Sequence, residues 1–102
     1  MGKAKTDKAD ARVALPADCR IADLATLKAA LEAALSAPAA ALDGGAVERI
    51  DTAALQLLTV FRREAAARGV AVEWLGASEV LRDGAARLGL ARTLELPAAM
   101  PA

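Results

Sequence analysis

Apolar residues recur along this chain at two spacings, and the changes from one to the other mark its elements. Val13, Ala14 and Leu15 read as a short strand ended by Pro16. Residues 16–18 read as a turn, after which Cys19 and Ile21 share one face of a resumed alternation, so the two pieces are expected to form a small hairpin. Asp23 fits a helix cap, and Leu24, Leu27, Leu31 and Leu35 follow at helical spacing until Pro38 forbids more. The next strand lies at residues 39–42 or at 46–50, on either side of the turn Asp43-Gly44-Gly45, and the reading adopted places it at 46–50. Residues 52–68 carry the strongest helical pattern, with Ala54, Leu57, Leu58, Phe61 and Ala65 on one face and Gly69 as the stop. Val70, Val72 and Trp74 alternate through a strand at 70–75, which Gly76 breaks. Ser78 caps a further helix with Leu81, Ala85 and Leu88 on one face, weakened by Gly84 by about 1 kcal/mol and ended by Gly89. Residues 93–96 read as a last short strand, and 1–11 and 97–102 as polar or irregular tails.

Strands alternating with helices predict one α/β (α+β) domain over residues 12–96. The expected architecture is a four- or five-stranded mixed sheet with helices packed mainly on one face. With 102 residues the chain is long enough for one core. Trp74 and Phe61 are its only aromatics, so that core must be built from Leu, Val, Ile and Ala.

Thirteen basic and thirteen acidic residues cancel, which argues against a nucleic-acid protein, whose affinity comes from clustered cations. Histidine and tyrosine are absent and Cys19 is the one cysteine, so the commonest general base and metal ligand are missing. Cys19 reads as a small buried strand residue, and its lack of a disulfide partner points to a reducing cytoplasm. No apolar run nears the ~20 residues that span a bilayer. Lys3, Lys5 and Lys8 precede no apolar segment, so the start is not read as a signal peptide, and a membrane role would be indirect, through a partner.

The most informative stretch is Ile50-Asp51-Thr52, where a strand hands over to the central helix. A helix N-terminus exposes unpaired N–H groups and partial positive charge, so a hydroxyl there serves as cap, docking point or phosphate carrier. Thr52, Gln56, Thr59 and Arg63 are spaced to form one polar stripe away from the apolar face. The plain alternative is a solvated face with Asp51 or Thr52 as an ordinary cap. Asp43-Gly44-Gly45 lacks the residues of a phosphate-binding loop and reads as a turn. Asp18, Asp43 and Asp51 sit at loop starts and imply no metal, and Arg62-Arg63 reads as a solvated pair. Trp74 reads as core or rim packing, with a small-ligand groove beside it as the weaker option. No set of nucleophile and base converges by spacing, so neither an enzyme nor a cofactor is implied.

The order of elements, with Val47-Glu48-Arg49-Ile50-Asp51-Thr52-Ala53-Ala54-Leu55, Arg68-Gly69-Val70-Ala71-Val72-Glu73-Trp74 and Ser78-Glu79-Val80-Leu81-Arg82, resembles the STAS domain from Val13 to Leu96. That is the fold of anti-sigma-factor antagonists and of the C-terminal domains of sulfate transporters. In antagonists the serine after the aspartate is phosphorylated by an anti-sigma-factor kinase, which would make Thr52 the phosphoacceptor here. This chain has Ala53-Ala54 where those proteins have Ser-Gly. The D-T-x-x-L form is similar to the small STAS subunit of the phospholipid-trafficking ABC transporter, in which the threonine meets the ATPase subunit. The resemblance therefore implies a regulatory or docking subunit that binds a protein partner through Asp51, Thr52, Gln56, Thr59 and Arg63. An ABC-transporter ATPase subunit and an anti-sigma-factor kinase are the two candidate partners, and alanine-rich helix surfaces leave room for a homodimer.

Overall fold

The computed structural model describes residues 10–20 and 24–96. Three parallel strands, β1 (Asp10–Ala14), β3 (Ala39–Gly44) and β5 (Ala71–Ala77), form a sheet in the order β1-β3-β5. Helix α1 (Leu24–Ala34) connects the first two and α2 (Thr52–Arg68) the last two. Parallel neighbours require such crossovers, and their usual right-handedness puts both helices on one face when the strand order runs one way. Two-residue strands β2 (Asp18–Cys19) and β4 (Arg49–Ile50) pair in parallel beside this sheet. Helices α3 (Glu79–Arg87) and α4 (Ala91–Leu94) close the domain. The α/β class and the three longer helices are as expected, but the single mixed sheet of four or five strands is not: among the described residues every pairing is parallel, and the strands divide into a sheet of three and a pair of two.

Several local expectations are corrected. The hairpin of residues 13–15 with 19–21 does not form: β1 pairs with β3, and the backbone N–H of Leu15 extends that ladder by donating to the Asp43 carbonyl at 2.9 Å. Past Pro16 the chain leaves the sheet, and β2 finds β4 instead. Ile21 and the Asp23 cap lie outside the described residues, as do residues 1–9 and 97–102. The tail expected at 1–11 gives way to β1 at Asp10.

The strand placed at 46–50 is mainly at 39–44, and only Arg49–Ile50 of the former pairs. Alanine is a poor strand former, so the run Ala39-Ala40-Ala41-Leu42 carries little local signal. Hydrogen bonds on both edges and burial of Ala40, Ala41 and Leu42 override that propensity. Strand β5 runs through Gly76 to Ala77, because a bulge at Leu75 shifts the register between Leu42 and Asp43. Residues 93–96 form no strand. Leu94, fully buried, ends α4, and its carbonyl accepts from Trp74 Nε1 at 2.8 Å.

The core joins Val13, Leu27, Leu31, Ala40, Leu42, Ala54, Leu58, Phe61 and Leu81 between the sheet and the helices, with Cys19 fully buried beside them. Leu88, expected on the buried face of α3, is exposed, because it is the C-cap residue beyond the last turn. Gly89 (φ 72°) follows it in the left-handed region. Gly44 sets the closest approach: a Cβ there would lie 2.5 Å from Leu81 Cδ2 and 3.2 Å from Trp74 Cζ3. Gly44→Ala is therefore expected to lower stability by about 1–3 kcal/mol in urea unfolding. Gly76→Ala, whose new atom would meet nothing nearer than 3.6 Å, is expected to stay within about 0.5 kcal/mol of the parent.

Candidate functional site

The mouth of α2 is built by the short strands below it. Glu48 and Arg49 donate their N–H groups to the Ala17 carbonyl at 2.8 and 3.0 Å, and Cys19 pairs with Ile50. Gly84 lets α3 press against this strand: a Cβ there would lie 3.3 Å from Ile50 Cγ2 and 3.5 Å from Leu55 Cδ1. The glycine that weakens α3 as a helix is thus what brings α3 close to the site. Asp18 accepts a forked pair from Arg20 at 2.6 and 2.8 Å. Those bonds hold its carboxyl below the ordinary aspartate range, against an opposing desolvation effect, and the charges of Arg20 and Arg49 add to them.

Asp51 is the cap. Its backbone is extended (φ −119°, ψ 175°), and Oδ1 accepts from the Ala54 N–H at 3.0 Å. Its carbonyl accepts from Leu55 N at 3.1 Å, starting the helix. Thr52, the first helical residue, is exposed, and its hydroxyl has no hydrogen bond among the described residues. The two neighbours therefore divide the work that either could have done: Asp51 satisfies the helix end and Thr52 faces outward.

The polar stripe is broken in the middle. Thr52, Gln56 and Arg63 are exposed, but Thr59 is only 8% exposed and donates its hydroxyl to the Leu55 carbonyl at 2.9 Å. At about 100° per residue, Thr59 lies about 20° to the Leu55 side of Thr52. Leu55 is buried and α3 and α4 pack on that side, so the buried arc is wider than the apolar residues alone predict. The same widening corrects the solvated Arg62-Arg63 pair. Arg62 is largely buried, with Nη2 on Glu95 Oε1 at 2.7 Å and Nη1 donating to the Val72 carbonyl at 3.3 Å.

On the other side of Thr52 lies a surface that the sequence reading missed. A hollow of about 370 Å³ is lined by Leu24, Ala25 and Lys28 of α1 and Ala53, Gln56, Leu57 and Val60 of α2. It shares Lys28, Leu57 and Val60 with a second hollow of about 440 Å³ that continues towards Arg68. Val60 is 54% exposed on this floor. The signal was present: Val60 is a large apolar residue outside the helix's core face. Trp74 lines neither hollow, and its ring N–H is engaged with Leu94. Among the described residues no group of three or more His, Cys, Asp or Glu side chains is placed to hold a metal. No helix there is long and apolar enough to cross a membrane.

The sequence model of a family described as "Mlab, STAS domain" matches residues 3–97. The chain belongs to the STAS domain family. Its match is to the MlaB-type branch of that family. STAS domains are generally non-catalytic and act through protein–protein contacts. Comparison with curated proteins and with solved structures returned no match.

The division of work between Asp51 and Thr52 is separable by mutation. Asp51→Ala is expected to cost about 1 kcal/mol as a lost N-cap. Thr52→Ala is expected to change stability by less than about 0.5 kcal/mol. Chemical denaturation of the two variants reads both values.

Proposed function

We propose that this STAS domain is a non-catalytic docking subunit that engages the ATPase subunit of a phospholipid-trafficking ABC transporter through the N-terminus of α2. The observation that carries the reading is the outward, unbonded hydroxyl of Thr52 beside an aspartate that already caps the helix. The match to the MlaB-type family supports the choice of partner.

Docking uses Thr52 and Gln56 for polar contacts, Arg63 at the far end of the stripe, and the apolar floor of Leu57 and Val60 for buried area. Asp51 acts through the helix mouth that it holds in shape, and Thr59 through the tight turn it makes with Leu55. Such a surface suits a partner that brings an apolar side chain to Val60 and a hydrogen-bonding group to Thr52. A new charge at its centre would be buried without a counter-ion, which costs several kcal/mol.

Thr52→Glu is therefore expected to weaken co-purification with the ATPase subunit by about tenfold or more. The helix itself tolerates the carboxylate, which lies at the positive end of its dipole. Val60→Asp is expected to act in the same direction, with unchanged circular dichroism in both. Full retention of the ATPase subunit by Thr52→Glu would sink the proposal. Incubation with an anti-sigma-factor kinase and ATP, read by intact mass, tests the alternative in which Thr52 is a phosphoacceptor. Ala53-Ala54, with Ala54 fully buried, replaces the Ser-Gly of that branch and favours docking without phosphate.

A further inference from the structure

The β1-β3-β5 sheet has two faces of different character. Val13, Leu42 and Trp74 lie in one cross-strand row and belong to, or pack against, the core under the helices. Alternation puts Arg12, Ala41 and Glu73, the row beside it, on the opposite face. Ala39 and Ala71 lie one step below on that face, with Ala14, Asp43 and the bulged Leu75 one step above. Ala41 is only 8% exposed yet stands outside the core cluster. Arg12 and Glu73 are exposed, and neither has an ion-pair or hydrogen-bond partner among the described residues. Leu75 is 42% exposed.

Parallel sheets occur almost only with both faces covered. Here α1 and α2 cross over on one face, and α3 and α4, which follow β5, pack against α2. We propose that the second face docks a second copy of this chain, about a two-fold axis that runs along β3. The row Arg12–Ala41–Glu73 selects that axis. Rotation about the strand direction exchanges the two outer strands, so Arg12 of each copy meets Glu73 of the other while Ala41 meets Ala41. Rotation about the perpendicular in-plane axis would set Arg12 on Arg12 and Glu73 on Glu73. Alanines at the centre let the sheets approach, and the long Arg and Glu side chains reach across. One row above, Leu75 of each copy falls over the small Ala14 of the other.

Two features limit the affinity. Asp43 of each copy meets its own equivalent at the rim. Three strands about 4.8 Å apart, paired over five residues, present on the order of 250 Å² per copy, well under the ~800 Å² of a standard interface. The dimer is therefore of the weak class. It lies on the face opposite α1 and α2, so it is independent of docking at Thr52.

Sedimentation velocity of the full chain up to about 1 mM tests it, since Kd values towards that limit correspond to about 4 kcal/mol. The expected result is a reversible dimer. Arg12→Glu alone and Glu73→Arg alone each create two like-charge contacts and are expected to weaken it by about tenfold or more. The double exchange, R12E with E73R, is expected to restore it to within about threefold of the parent. Asp43→Asn, which keeps an acceptor for the Gly45 N–H, is expected to tighten it, and Thr52→Glu to leave it unchanged. A chain that stays monomeric throughout, a dimer indifferent to either single reversal, failure of the double exchange to restore association, or no tightening by Asp43→Asn each overturns the proposal.

Discussion

The close approach of α3 to the end of β3 holds the domain in its observed form. Gly44 ends the central strand with Leu81 of α3 where its own side chain would be. The Gly44 carbonyl accepts from the N–H of Ser78, the cap of α3, at 3.0 Å. One residue thus sets the distance from the strand to α3 and the point at which α3 begins. Gly84, on the same helix, then lies against Ile50 and Leu55. The position of the α2 mouth follows from these two contacts, since Ile50 precedes the cap and Leu55 is in the first turn after it. Two glycines that cost the chain conformational entropy are repaid in proximity.

At the mouth, chemistry is separated from architecture by a single peptide bond. Asp51 carries the structural duty and Thr52 is left with its hydroxyl in solvent. A threonine that capped its own helix would have its oxygen committed to a backbone N–H, and under the proposed docking a partner would have to break that bond. The adjacent aspartate removes the conflict. At Thr59 the hydroxyl turns back to the carbonyl one turn earlier and so is buried with its donor satisfied.

The elements with strong periodic patterns and clear caps were legible in the sequence. The bounds of α2, its Gly69 stop and the Ser78 cap all follow from residues whose local preferences agree with the fold. The strand at 39–44 was legible only as the alternative not adopted, because three alanines announce neither strand nor face, and its two neighbours are what make it the centre of the sheet. The last turn was misjudged for a related reason. Thr93-Leu94 resembles a strand end, but Leu94 is drawn inward by the indole of Trp74, a residue twenty positions away that no local pattern reports. At the candidate site the positions of Asp51, Thr52, Gln56 and Arg63 were readable from helical spacing. The burial of Thr59 and the groove at Val60 were not, because both depend on which neighbouring helices flank α2.

The chain's final described turn is fastened by the indole of Trp74 on the Leu94 carbonyl, by Arg62 on Glu95, by the buried side chain of Leu94, and by Leu90, Ala91 and Leu96 packed against the core. Against these stands Glu95, a non-glycine residue in the left-handed region (φ 57°), a conformation that costs on the order of 1–2 kcal/mol. A single turn that carries such strain is a unit of low local stability, of the kind that opens ahead of the whole molecule. Because Trp74 is the only tryptophan, its emission doubles as a built-in gauge of that end. A red shift that precedes the loss of helical signal would time the release of the C-terminal turn without any added label.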